Sequence, residues 1–408
     1  IPRLAYSLGN AGETILHRTF EYFVLFYYTQ VLGVSGSIAG LAILAALAVD
    51  AVTDPLVGSY SDSLQSRFGR RHTLMFASVL PTTVLFYALF NPPAGLSAAR
   101  LGLWLAATAI GLRVAITFFY VPWSAQVAEL SSDPRERVTL AILRSIFGAV
   151  AQGSVIALAF NLFFRATPAY PRGQENPEAY SPFAVTFALG LGVVILLSAA
   201  GTYRRMQALE RAETSAPLRF TVAALGNAWR EMMFGFPNFR CLFLGALAAM
   251  TGLSAFNAFS LYLGSYFWGL STAQIGQWQF AFVVGAALTF VLGKPIVDRL
   301  QASAVFSAGV AAGLACFAAP VLLKLIGVLQ GDVAINLMVL AVANALGGFF
   351  LGLVMITSAV LASETADAYQ ARRGIKGTAM LFGFITLSMK LASGLGKLLT
   401  GVAIDLIA

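Results

Sequence analysis

Eleven apolar windows, each long enough to cross about 30 Å of hydrocarbon, take up most of this chain and leave short polar connections between them. They run from Ala5 to Val31, Ser37 to Tyr60, Thr73 to Phe90, Leu101 to Pro122, Thr139 to Phe164 and Phe183 to Thr202. The pattern then resumes from Cys241 to Trp268, Gln279 to Val297, Ala302 to Val328, Ala334 to Ala362 and Thr378 to Ala408. In lipid a spanning segment of this length satisfies its own backbone only as a helix, so the expected fold is all-α and polytopic. With 58% of residues hydrophobic, 11% charged and a mean hydropathy of +0.79, the chain lies far outside soluble usage.

The net charge of +8 does not imply nucleic acid, because the basic residues sit in the short loops. Counted alternately, one set of loops holds Arg67, Arg70, Arg71, Arg135, Arg137, Arg204 and Arg205 and most of the later basic residues. The other set holds only Arg100, Arg165, Arg172 and Lys324, which predicts a cytoplasmic amino terminus. Cys241 and Cys316 lie in apolar segments without metal-ligand or disulfide spacing. No cleavable signal peptide is read, and the start at Ile1 suggests a trimmed terminus.

The polar stretch between the sixth and seventh spans divides the chain into an expected six-helix bundle at 1–203, a middle loop at 204–236 and a second bundle at 237–408. Within the loop Leu218, Val222, Leu225 and Trp229 recur at helical spacing, as an amphipathic surface helix or a plain linker. A weak repeat relates the halves. The second span ends Gly58-Ser-Tyr-Ser-Asp62 ahead of Arg67 and Arg70, and the eighth ends Gly293-Lys-Pro-Ile-Val-Asp298-Arg299. Asp62, Arg67, Arg70, Asp298 and Arg299 are thus candidates for a cytoplasmic gate whose charges latch helix ends in one conformation.

Asp50 and Asp54 stand one turn apart inside the second span. Each carboxylate at mid-bilayer costs about 2.5 to 3.5 kcal/mol, so the pair needs a cation, a proton or water. Thr53 adds a hydroxyl, and Pro55 can free a backbone carbonyl. Lys390, deep in the eleventh span, is the basic group expected to reach this cluster, while Lys397 reads as a lysine that snorkels to the outer interface. The first span carries Glu13, His17 and Glu21 at successive steps of four, with Thr14 and Arg18 beside them, a stripe expected to line a cavity. Arg113 and Arg144 could pair with those glutamates or contact substrate, and Tyr120 and Trp123 could stack on a ligand or act as interface anchors. His17 and His72 are too few for a metal site, and no P-loop or nucleophile elbow is present, so enzyme chemistry is not expected.

These residues resemble the glycoside-pentoside-hexuronide cation symporters of the major facilitator superfamily. The match runs through Tyr27-Tyr-Thr29 with Gly33, Asp50-Ala-Val-Thr-Asp54-Pro55, Arg67-Phe-Gly-Arg70, Pro122-Trp-Ser124, Arg135-Glu-Arg137, Phe236-Pro-Asn-Phe-Arg240 and Lys390. The resemblance implies two six-helix bundles, alternating access and symport with sodium or protons. The chain shows eleven spans, so the twelfth helix is expected to be missing from it. The resemblance also implies a cation site at Asp50, Thr53, Asp54 and Thr117, with Na+ held by Asp50 and Asp54, and a coupling role for Lys390. Substrate-binding candidates are Glu13, Thr14, His17, Arg18, Glu21, Tyr120, Trp123 and Arg144. The family's sugar-gripping carboxylates fall on Thr14 and Tyr120, a departure that leaves two substrates open. One is a sugar, glycoside or uronide. The other is a lysophospholipid, since Tyr120-Val-Pro-Trp-Ser-Ala125 is similar to a turn of the family's sodium-dependent lysophospholipid branch. The expected protein is a monomer in a bacterial inner membrane, in contact with lipid and a small-molecule substrate, without a cofactor and without nucleic acid.

Overall fold

The computed structural model describes residues 2–64, 66–130, 134–210, 222–329, 332–373 and 378–407, and among them every regular element is helical. In chain order the helices are α1 (Pro2–Thr19), α2 (Gly36–Ser63), α3 (His72–Leu89), α4 (Ala98–Leu130), α5 (Pro134–Leu158) and α6 (Tyr180–Glu210). There follow α7 (Val222–Gly235), α8 (Pro237–Tyr262), α9 (Thr272–Arg299), α10 (Ala302–Leu325), α11 (Val333–Arg373) and α12 (Thr378–Ile407). Each of the eleven windows falls on a helix, with α7 between the sixth and the seventh. Of the expected amphipathic stretch, Val222 to Trp229 lies in α7, and Leu218 falls outside the described residues.

Nine of the described helices are long and apolar enough to cross a membrane, and α9 makes ten when its two arms count as one span. The arms of α9 meet at 52° between Thr289 and Val291. Pro295 supplies the cause: it has no N–H to give the Val291 carbonyl, and its ring crowds that turn. Helix α1 falls short of this apolarity because Glu13 and Arg18 interrupt it. Leu80, Leu103, Val291 and Met338 are each at least 70% exposed, an outward apolar face suited to lipid rather than water.

The helices form two compact units. The first comprises Ile1–Ala159, Gly173–Thr221 and Lys397–Ala408; the second comprises Phe160–Arg172 and Val222–Gly396. In the first, α1 packs on α5 and α6, α2 on α4, and α3 on α4 and α6. In the second, α9 and α10 pack on α11, the pattern that α2 and α3 make on α4.

The helix corners repeat as well. Helix α1 continues through π-type turns at Phe20–Val24 and Tyr27–Val31 and stops at Gly33, whose φ of +69° lets the Val34 N–H bond back to the Tyr28 carbonyl at 2.8 Å. Helix α8 ends in a π-type turn at Leu263–Phe267 and stops at Gly269, φ +65°, with the Leu270 N–H on the Gly264 carbonyl at 2.8 Å. A serine N-cap follows each glycine by two residues, Ser35 for α2 and Ser271 for α9.

The N-terminus of α2 has an unusual cap. Asp405, near the end of α12 in the first unit, accepts from the Gly36 N–H at 2.6 Å, the Ser37 N–H at 2.7 Å and the Ser35 hydroxyl at 2.7 Å. A carboxylate satisfies orphan donors there and sits favourably at the positive end of the helix dipole. Gly36 allows this approach, since a Cβ on it would stand 2.3 Å from the Gly401 carbonyl oxygen.

Candidate functional site

Thr117, on α4, gathers the two aspartates of α2. Its hydroxyl oxygen lies 2.8 Å from Asp50 Oδ1, 3.2 Å from Asp54 Oδ1 and 2.9 Å from the Arg113 carbonyl. A hydroxyl has one proton to donate, so three acceptors compete for it. Asp50 is 3% exposed and Thr117 1%. The spacing that placed both carboxylates on one helix face thus delivers them to one oxygen of a neighbouring helix. Thr53 turns its hydroxyl to the Asp50 carbonyl at 3.1 Å. Among the described residues no three His, Cys, Asp or Glu side chains could hold a metal ion. A cation here would draw on the two carboxylates and the Thr117 hydroxyl, all hard oxygen donors.

Asp50 also faces Arg113, one turn before Thr117 on α4. Its guanidinium is 3.8 Å from Asp50 Oδ2 and lies 4.7 Å over the Phe20 ring. Sequence reasoning offered Arg113 to the glutamates of α1 or to substrate; the register of α4 against α2 brings it to the aspartate instead. Lys390 lies in the second unit, half-buried, seven residues before Lys397 on α12.

Glu21 forms a second buried cluster. It sits in the first π-type turn of α1, 3.1 Å from Arg18, 3.3 Å from His17 Nε2 and 3.6 Å from Lys397 Nζ. Lys397 is 1% exposed, so the snorkelling expectation for it is corrected. The reason is packing: the end of α12 lies within the first unit, where Lys397 joins Arg18 and His17 around a buried carboxylate.

A third group lies further toward the start of α1. Trp123 is fully buried, gives its indole N–H to the Tyr6 carbonyl at 2.7 Å and stacks on Tyr6 with centroids 5.3 Å apart. The Arg144 guanidinium lies 4.4 Å over the Trp123 ring and donates to the Tyr6 hydroxyl at 3.1 Å. Asn10 donates to the Arg144 carbonyl, and Thr14 back-bonds to the Asn10 carbonyl. With no exposed surface, Trp123 acts here as a shelf for Arg144. Tyr120 belongs to this group as well, its ring centroid 5.7 Å from that of Trp123.

Of the gate candidates, Asp62, Arg67 and Arg70 belong to the first unit, and Asp298 and Arg299 to the second. Arg67 is exposed over the Phe68 ring, and Arg70 is half-buried. Asp298 lies 3.9 Å from Lys294 on its own helix, and Arg299 is exposed. The Asp62 side chain falls outside the described residues.

A helical fold of apolar spans, with paired carboxylates and buried cations inside one bundle, defines a membrane transporter rather than an enzyme. The family model described as MFS/sugar transport protein matches residues 5–407, and the chain belongs to that family. It is similar to the isoprimeverose transporter of Lactiplantibacillus pentosus, 23% identical over 99% of this chain and 79% of that one. It is also similar to the putative glycoside/cation symporter YagG of Escherichia coli, 27% identical over 56% of this chain and 49% of the relative. With the mouse sodium-dependent lysophosphatidylcholine symporter 1 it shares 28% identity over 38% of this chain and 32% of that protein. Among solved structures, a mutant form of the nucleoside transporter NupG matches 99% of this chain and 91% of its own, with a TM-score of 0.68 at 13% identity, a likeness of fold.

Proposed function

We propose that the protein is a secondary active symporter, carrying a sugar, glycoside or uronide together with Na+ or H+ by alternating access between halves divided near 204–236. The observation that carries this reading is the Thr117 hydroxyl held within 3.2 Å of both Asp50 and Asp54 inside a membrane helix pair. A cation or proton arriving there lowers the electrostatic cost of keeping two carboxylates inside the helix pair. The names of the isoprimeverose transporter and of YagG support the substrate class and the coupling.

Substrate is taken up against Glu13, Thr14, His17, Arg18, Tyr120 and Arg144, with Trp123 holding Arg144 in place. Tyr120 links the two sites, because it follows Thr117 by three residues on α4 and packs its ring 5.7 Å from that of Trp123. Cation binding neutralises the aspartates and strengthens substrate binding, and by reciprocity substrate tightens the cation site equally. Lys390 is assigned the coupling role, Asp62, Arg67, Arg70, Asp298 and Arg299 the gating role, and the amino terminus the cytoplasmic side. One sodium ion crossing about 100 mV supplies about 2.3 kcal/mol, roughly a fifty-fold substrate gradient. A lysophospholipid is the second reading, supported by the similarity to the mouse symporter.

The test is thermal stabilisation of the purified protein by glycosides, uronides and lysophospholipids, each in sodium and in choline, followed by uptake into proteoliposomes. A sugar-dependent shift that grows with sodium, lost in Asp54→Asn together with sodium-stimulated uptake, supports the site. Full sodium-stimulated uptake by Asp54→Asn overturns it. A sodium-dependent shift with lysolipid and none with sugars selects the second reading.

A further inference from the structure

A polar atom buried inside a membrane bundle is costly unless it is hydrogen-bonded, because neither lipid nor apolar side chains offer it a partner. In the second unit two such atoms belong to residues that line one cavity. Trp268, 3% exposed, follows the π-type turn that ends α8, and Asn344, 2% exposed, lies on α11. Among the described residues the Trp268 indole Nε1–H and the Asn344 Oδ1 have no hydrogen-bond partner. Both residues line the cavity together with Phe256, Trp278, Cys316 and Phe317. The orientation of the Asn344 amide is fixed by chemistry. Its Nδ2 donates to the Trp278 carbonyl at 2.8 Å, and a carbonyl only accepts, so turning the amide over would set two oxygens against each other. Oδ1 is therefore the acceptor left over. The indole is a donor only, and its ring is held by the Lys324 ammonium, 4.5 Å from the centroid, while that lysine donates to the Phe267 carbonyl. One orphan thus offers a proton and the other needs one.

We propose that this cavity is the binding site of one structural water molecule, which accepts from the Trp268 indole and donates to Asn344 Oδ1. The size of the cavity selects that occupant: it leaves about 10 Å³ for the centre of a water-sized sphere, room for one water and not for a substrate. Its chemistry agrees, since no residue lining it is charged and the two orphans call for a neutral group that both accepts and donates. The Cys316 sulfur, a weak acceptor, lines the same cavity and is open to the second proton of the water. So placed, the water ties the corner of α8 to α11 and, through the Asn344 amide, to α9. The water site is independent of the cation site, whose aspartates belong to the first unit.

The test is a density map of the purified, unaltered protein fine enough to show ordered water, together with the nuclear magnetic resonance signal of the Trp268 indole N–H, assigned by its loss in Trp268→Phe. The expected result is a spherical peak within hydrogen-bonding distance of both Trp268 Nε1 and Asn344 Oδ1, and a cross-peak from that indole proton to water. In Asn344→Leu both the peak and the cross-peak should be lost. Thermal melts supply a check that does not need a map. Trp268→Phe and Asn344→Leu should each lower the melting temperature, and the double variant should lose less than the two losses added, because either substitution alone already strands the other partner. An empty cavity, an elongated acyl or detergent chain lying in it, or a direct bond from the Trp268 indole to a protein oxygen overturns the proposal. Additive losses in the melts without an indole–water cross-peak overturn it equally.

Discussion

At Thr117 one proton serves two carboxylates and a backbone carbonyl, so its removal should be felt by whatever cation the aspartates hold. A hydrogen bond to a charged group contributes about 1.5 to 3 kcal/mol, equivalent to roughly a ten- to hundredfold change in affinity. Thr117→Val is expected to raise the half-maximal cation concentration for uptake by about that factor, and Thr117→Ser to leave it nearly unchanged. The Glu21–Lys397 pair gives a second prediction. Removing one partner of a buried pair costs up to about 3 to 5 kcal/mol, while replacing both with apolar groups can cost little. Lys397→Met should lower the melting temperature of the purified protein by less than that, because Arg18 and His17 still face Glu21, whereas Glu21→Gln, which takes the carboxylate from all three cations together, should lower it more; equal losses in both would place the cost in packing instead. The aspartates were legible because a carboxylate inside an apolar run is conspicuous at its insertion cost. Lys397 and Arg113 were not legible in the same way. A lysine near the end of a window looks the same whether it reaches water or a glutamate, and the partner of Arg113 depends on the rotation of α4 against α2, which no single helix encodes.

The helices themselves were read well by hydropathy, because a span must be apolar wherever it meets lipid. Their ends were not, since α4 runs on to Leu130, α6 to Glu210 and α11 to Arg373, past the windows into polar sequence. Apolarity marks the hydrocarbon, and backbone hydrogen bonding decides where the helix stops. The π-type corners also escaped notice, although Gly33 and Gly269, Ser35 and Ser271, Gly40 and Gly276, and Asp62 and Asp298 pair at one constant offset along the chain. That offset relates α2 to α9 more firmly than the Gly58 and Gly293 endings do. The packing of α2 on α12 makes a prediction at this scale. Gly36→Ala would place a methyl against the Gly401 backbone, which cannot yield as a side chain can. Overpacking of this kind costs about 1 to 3 kcal/mol. The variant is expected to melt several degrees lower in a fluorescence-based assay, whereas Gly226→Ala on α7, where a Cβ would meet nothing, should melt at or slightly above the unaltered protein.

Across the whole molecule the first unit is closed by residues from the far end of the chain, as Lys397 and Asp405 both belong to it. The cap on α2 should therefore report on the seating of α12. In Asp405→Ala the amides of Gly36 and Ser37 lose their acceptors, and hydrogen exchange there is expected to accelerate by about fivefold or more, in line with the roughly 1 kcal/mol or greater value of an N-cap. Asp405→Asn should show a smaller effect, and unchanged exchange in both variants would mean that the contact carries no stability. The same contact sets an order of events during manufacture. Asp405 lies 369 residues after the Gly36 amide it caps. At about 5 to 20 residues per second, a ribosome delivers that carboxylate some 20 to 70 seconds after α2 has emerged. Throughout that interval the nascent α2 has to wait in the bilayer with its first turn satisfied by water or headgroups, and a helix synthesised long after it is the one that finishes it.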